Sequence, residues 1–244
     1  MNKIAAFIII GDEILSGRTK DKNLNFLANE LIDLGIDLNE VRVIKDNHQA
    51  IIATVNELKA KYDYVFTSGG IGPTHDDITS ESIAKAFNDQ YLINKDAAAI
   101  LEKYYGKENI NDAKLKMAYL PSKAILLDNP VSSAPGFFIE NVFVMAGVPK
   151  IFRAMFKYAK KNLKTGNIIK SIEIKISLTE SKIAKDLAML QNKYNDVKMG
   201  SYPFKNGTSL VFRSTNDLML ENSINTILNL LKKINPNSII EIIR

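Results

Sequence analysis

Gly69, Gly70 and Gly72 are followed closely by Asp76 and Asp77 in the stretch TSGGIGPTHDDIT, Thr67 to Thr79. Residues without a Cβ let backbone N–H groups approach an anion, and a helix starting beyond them adds a favourable dipole, which is how phosphate cradles are built. The same glycine spacing also serves a tight turn from strand to helix. No Gly-Lys-Ser/Thr follows, so the loop is not a P-loop, and His75 stands where a Gly-x-Gly-x-x-Gly fingerprint has its third glycine. Two acids beside an anion cradle repel a phosphate unless a divalent cation lies between them. Asp12 and Glu13 in GDEILSG, and Asp46 in KDNH, are the further carboxylates expected at neighbouring strand ends. Such hard oxygen donors suit magnesium or manganese. Thr74 and Asp77 also stand in capping-box spacing, so acids opening a helix are the plainer reading of the same residues. Ser133 and Gly136, in NPVSSAPGF, offer a hydroxyl to a phosphate or simply a turn into a strand. His48 and His75 read as turn-capping or solvent-facing side chains.

These residues need elements to hold them. KIAAFIII, VRVI and YVFT are short β-branched apolar runs, separated by helical patterns over LNFLANELIDLGI and about Asn47 to Lys61. Leu24, Leu27, Ala28, Leu31 and Leu34 share one helical face, with Gly35 as a stop. Strands apolar throughout and alternating with helices predict a mostly parallel sheet covered on both faces, with ligands outside the carboxyl ends of its strands. A helix is expected near Ser80 to Asn88, with further helical turns between Asp96 and Tyr119. GFFIE and VFVMA around Glu140-Asn141 predict a hairpin, hence one antiparallel member. KIFRAMFKYAKKNL closes this unit as a helix. After Lys164 to Asn167 the pattern changes to SIEIKISL, a half-exposed strand, and continues as β-α-β-β-α-β, the order of a split βαβ sandwich. The expected division is 1–166, an α/β domain, and 167–244, a small α+β domain.

With 46% hydrophobic and 24% charged residues, the chain has the composition of a globular protein. Its formal net charge of +5 is spread along the chain, so nucleic acid is not an expected partner. Cysteine is absent, which excludes disulfides and thiolate sites, and two histidines make structural zinc a poor fit. No apolar run approaches the ~20 residues a membrane helix needs, so a cytoplasmic chain without a membrane partner is expected.

Four segments, taken in order, resemble a known family. GDEILSG followed by Asp21 and Asn23, TSGGIGPTHDDIT, NPVSSAPGF and AGVPKIFRAM are similar to the N-terminal domain of the competence/damage-inducible protein A (CinA) family, part of the wider MoaB/Mog group of molybdopterin-binding domains. The resemblance runs from about Lys3 to Leu163, and 167–244 looks like that family's second module. It implies a three-layer α/β/α MoaB/Mog-like domain with a mostly parallel, mixed sheet. In the molybdopterin branch the Gly-Gly-x-Gly…Asp-x-Thr loop holds a pterin phosphate, and acids at the positions of Asp77 and Asp46 support adenylyl transfer. The CinA branch is associated with divalent-metal-dependent hydrolysis of the pyrophosphate in ADP-ribose and related nucleotides, and a similar domain is fused to eukaryotic FAD synthases.

The expectations drawn from residues and resemblance together are these. Asp77 and Asp46 are catalytic. Gly69, Gly70, Gly72, Thr74, Ser133 and Gly136 contact phosphate or nucleotide. Asp76, Asp77, Asp12 and Glu13 hold magnesium, manganese or cobalt. The ligand is a small nucleotide or pterin phosphate, and the alternative is molybdopterin held without turnover. A homo-oligomer follows from the resemblance alone. Ser132, Met145-Ala146 and Lys150-Ile151 depart from the family's usual residues and bear on the substrate more than the fold. The amidohydrolase domain of full-length CinA proteins is not expected within this chain.

Overall fold

A computed structural model describes residues 2–244, and the chain divides into two compact units, one ending at Gly166 and one spanning Asn167–Arg244. In the first, β1 (Lys3–Ile10) leads through α1 (Asp12–Leu15) to α2 (Asn23–Asp33) and β2 (Ile36–Ile44). Then follow α3 (His48–Lys61), β3 (Tyr64–Ser68), α4 (Thr79–Ala86), β4 (Tyr91–Ile93), α5 (Lys95–Tyr105), α6 (Asp112–Lys116) and β5 (Tyr119–Pro121). β6 (Ile125–Leu127), β7 (Gly136–Ile139), β8 (Val142–Met145) and α7 (Pro149–Ala159) complete it.

The main sheet has the order β2-β1-β3-β8-β7-β6. β1 is parallel to β2 and β3, β3 is parallel to β8, and only β7 runs against its neighbours. Alternation along β1 shows why both faces are apolar: successive side chains point to opposite sides. Ala6, Ile8 and Ile10 pack with Ile51, Val55 and Leu58 of α3 and Ile83 of α4. Ala5, Phe7 and Ile9 pack on the other face with Leu27 and Leu31 of α2 and Phe152, Met155 and Phe156 of α7. The result is the expected three-layer α/β/α arrangement. The hairpin turns at Glu140, which takes a left-handed φ of 50°, and Asn141.

Three local features differ from the expectation. β2 begins at Ile36 rather than Val41, and its first residues pair with Lys3, Ile4 and Ala5. It is an edge strand of the sheet, so the polar Asp37, Asn39 and Glu40 are tolerated there and hide it from an apolar-run reading. β4 and β5 form a separate two-stranded antiparallel ribbon at the two ends of the segment between Asp96 and Tyr119 that reads as helical turns, where no strand is expected. Finally, α4 opens at Thr79, beyond Thr74 and Asp77, so those two do not form a capping box.

The second unit contains β9 (Lys170–Ile176), α8 (Glu180–Lys193), β10 (Lys198–Phe204), β11 (Gly207–Ser214), α9 (Asp217–Ile234) and β12 (Ile239–Ile243). Its antiparallel sheet has the order β10-β11-β9-β12, as a split βαβ sandwich requires. Ile172, Ile174, Leu210 and Phe212 pack with Ile183 and Leu190 of α8 and Ile224, Ile227 and Leu231 of α9. Among the described residues no helix is long and apolar enough to cross a membrane.

Candidate functional site: a cleft at the carboxyl ends of the parallel strands

β1, β3 and β8 end side by side, and the backbone beyond them builds the floor of a cleft of about 560 Å³. Crossing is tight here. Gly69 has φ 108°, and a Cβ on it would collide with the Ile10 carbonyl. Its N–H is donated to Met145 O at 3.1 Å, so Gly69 closes the floor and has no donor left for a ligand. Gly70, at φ 68°, accepts the Thr79 N–H at 2.9 Å, and a side chain there would meet the Thr79 hydroxyl. That hydroxyl is donated to Gly69 O at 3.0 Å. Both positions need the left-handed region that glycine alone enters freely.

Beyond this lock, the N–H groups of Gly70, Ile71 and Gly72 have no acceptor among the described residues, and all three residues line the cleft. Consecutive free amides on a concave turn are an anion-binding nest. Asp77 lies against Gly72: a Cβ on that glycine would sit 2.6 Å from Asp77 Oδ2. Both the N–H and the hydroxyl of Thr74 donate to that same Oδ2, at 2.8 and 2.5 Å. Asp77 Oδ1 has no donor among the described residues. Thr74 therefore fixes the orientation of Asp77. Lys116, just before β5, donates its Nζ to Thr74 O and tethers the loop from outside.

The other expected residues fall into two groups. Glu13 lines the cleft with Gly69, Gly70, Gly72 and Asp77. Asp12, Asp46, Asp76, Thr74, Ser133 and Gly136 do not line it. Asp46, just past β2, accepts the Asp12 N–H at 2.9 Å, which links the second strand-end loop to the first. Burial, followed by repulsion from Glu13, Asp12 and Asp76, pushes the Asp46 carboxyl above its ordinary range against the effect of that hydrogen bond. The Thr74 hydroxyl lies near enough to Asp76 to hold its carboxyl below the usual value. In the fourth loop Ser132, not Ser133, reaches the cleft. Ser133 takes a left-handed φ of 59°. Gly136 is buried at the start of β7, facing Val144 O and the Met155 sulfur. His75 is fully exposed, and His48 Nδ1 is 2.9 Å from Ser82 Oγ.

Several contributors fall outside the expected set. Asn129 shapes the fourth loop by accepting the Val131 N–H at 3.0 Å and donating to Ser132 Oγ and Ala134 O at 2.7 and 2.8 Å. Asn23, 2% exposed, donates to Ser68 Oγ and Gly147 O and so ties α2 to β3 and to the turn after β8. The Asn23 side chain is part of the GDEILSG-to-Asn23 pattern, but nothing in its type announces a brace. Tyr105 and Met117, from α5 and the end of α6, form an apolar wall with Ile71 and Pro73. No local spacing predicts that they reach the glycine loop.

The donor set has a definite chemistry. Asp12, Glu13, Asp46, Asp76 and Asp77 have no lysine or arginine within ion-pair distance among the described residues, although Lys116 lies close enough to act on Asp76. No three acidic or imidazole side chains among the described residues come together as a metal cage. That arrangement fits an ion of the magnesium type, which uses one or two carboxylates and takes its remaining oxygens from substrate phosphate and water. It does not fit an ion held by protein alone.

The fold and the nest define a class, and comparison with known proteins agrees. Residues 6–165 match the family described as "Probable molybdopterin binding domain", and the chain belongs to it. Residues 169–238 match "FAD synthase, middle domain". Within that family the chain is CinA-like. It is 33% identical to a "CinA-like protein" of Desulforapulum autotrophicum over 209 residues, covering 78% of this chain and 49% of that protein. It is 32% identical over 227 residues to a "Probable FAD synthase" of Caenorhabditis elegans, covering 82% of this chain and 44% of that one. The chain thus spans about half the length of these two relatives. A crystal structure of the protein CinA from Thermoplasma acidophilum superposes with a TM-score of 0.63 at 35% identity, covering 66% of this chain and 98% of that one.

Proposed function

We propose that the cleft is the active site of a divalent-metal-dependent pyrophosphatase acting on ADP-ribose-like nucleoside diphosphates. The observation that carries this reading is the run of three free amides at Gly70, Ile71 and Gly72 beside a carboxylate, Asp77, oriented by one oxygen and open at the other. The amides orient the diphosphate and stabilise charge that grows on its oxygens during displacement. Asp77 Oδ1 accepts a proton from the attacking water, while Thr74 holds Oδ2. Glu13 would hold the cation at the cleft, with Asp12, Asp46 and Asp76 supplying negative potential around it and Asp77 kept as the base. When bound, such an ion neutralises the diphosphate oxygens. The wall of Ile71, Pro73, Tyr105 and Met117 takes the flat ring of a nucleobase and excludes water. The kinship of both units to FAD synthases supports a nucleotide ligand.

The apolar wall also suits a pterin, so the alternative is a molybdopterin or pterin-nucleotide binding protein without turnover. Incubating the purified protein with ADP-ribose and magnesium, manganese or cobalt separates the two. AMP release that EDTA stops is the expected result. Retained pterin fluorescence with no AMP under any metal overturns the hydrolase reading in favour of the alternative.

A further inference from the structure

A second groove, of about 590 Å³, adjoins the cleft at Pro149 and across the rim loop, whose Pro130 and Val131 form its other wall. Its charged lining is Lys22, Lys150, Arg153 and Lys157. Lys150, Arg153 and Lys157 are spaced three and four residues apart on α7, so they share one face and repel one another. None of the four has a carboxylate within ion-pair distance among the described residues, whereas Lys160, on the 3₁₀ turn that follows α7, is 3.1 Å from Glu30. Lys150 lies in the first turn of α7, which carries no acid, although a helix N-terminus disfavours a cation. Arg153 is stacked over the Phe26 ring at 5.2 Å, which holds a guanidinium in place without neutralising it. Repelling, unneutralised cations at a concave surface are what an anion relieves.

We propose that this groove is a phosphomonoester subsite, so that the ligand of the cleft is a nucleoside diphosphate conjugate carrying an additional phosphate on a ribose. This rests on the nucleotide reading of the cleft. The diphosphate lies on the Gly70–Gly72 amides, and the second phosphate passes the lip at Pro149 to reach Arg153 and Lys157. Arg153 supplies a planar fork suited to phosphate oxygens, and the lysines add point charge.

The test is isothermal titration of the intact protein with ADP-ribose and with ADP-ribose 2′-phosphate, repeated on Arg153→Ala/Lys157→Ala. The wild type is expected to bind the phosphorylated compound at least ~10-fold more tightly, and the double variant to lose that advantage while its affinity for ADP-ribose changes less than ~2-fold. Equal affinities in the wild type, or an advantage that survives in the variant, overturn the subsite. So does tight binding of a single-stranded oligonucleotide that the variant weakens while the extra phosphate contributes nothing. The affinity ratio and AMP release are separate readouts. No hydrolysis with the ratio intact defeats only the pyrophosphatase, and hydrolysis with equal affinities defeats only the subsite.

Discussion

Two carboxyls served by one strand behave in opposite ways. Glu40, within β2, accepts hydrogen bonds from Tyr62 Oη at 2.6 Å, Arg42 Nε at 2.7 Å and Lys61 Nζ at 3.0 Å. Those bonds, Tyr62's first, hold its carboxyl down to about 2. Arg42 is also forked onto Glu57 of α3. Asp46, just past the carboxyl end of the same strand, has no cation and is pushed up by burial and by other acids. The second unit repeats the first pattern, with Lys175–Glu241 at 2.8 Å and Arg244–Glu221 at 2.5 Å. These acids, within the elements of the fold, are paired with lysine or arginine. Acids at the strand ends are left facing one another, which costs stability, and on the function proposed above a cation supplies the missing charge there.

The largest effect on this contrast is expected from Gly69→Ala, which puts a Cβ against the Ile10 carbonyl and forces alanine into a left-handed φ. Backbone strain of this kind costs ~1–3 kcal/mol before any collision is counted. Urea unfolding should show a loss of at least that size, and an unchanged midpoint would mean that the cleft floor is not the tight crossing described.

Asp46→Asn sharpens the contrast. The amide keeps an oxygen for the Asp12 N–H but removes one of four mutually repelling carboxylates. A carboxyl whose pKa is raised by folding weakens the fold while ionised, so the variant should melt higher at neutral pH in metal-free buffer and hydrolyse ADP-ribose more slowly. A lower melting temperature with full activity would reverse the assignment of Asp46.

Glu40→Gln acts at the opposite pole, with the smallest effect. The folded carboxyl titrates near 2 and the unfolded one near 4.5, so its contribution is complete above 4.5 and is lost as pH falls toward 2. The variant should lose less stability than the wild type across that window, read as urea midpoints at stepped pH. Parallel curves would show that the Tyr62–Arg42–Lys61 cluster does not hold the carboxyl.

Much of the frame was legible because its signals are local. The alternation in KIAAFIII faces both helical layers, the Glu140-Asn141 turn makes the antiparallel pairing of β7 with β8, and the β-α-β-β-α-β order of the second unit folds as written. The glycines at 69 and 70 were legible as a cradle or a tight turn from strand to helix, and a tight turn is what they make. What escaped depends on distant partners. Gly69 reads as an anion donor until Met145 O takes its N–H. Thr74 and Asp77 have the spacing of a helix cap, yet close a loop two residues short of the helix. Lys116, 42 residues along the chain at the end of α6, reaches Thr74, and the three-residue strands of the β4–β5 ribbon carry no readable period. The choice of Ser132 over Ser133 turns on one left-handed backbone angle.

The central claim is that an oriented carboxylate beside free amides cleaves a diphosphate. AMP release from ADP-ribose in the presence of manganese, by the wild type and by Asp77→Ala, tests it most directly. The account predicts metal-stimulated release by the wild type and a loss of at least ~100-fold in the variant. Release by Asp77→Ala at the wild-type rate would contradict it.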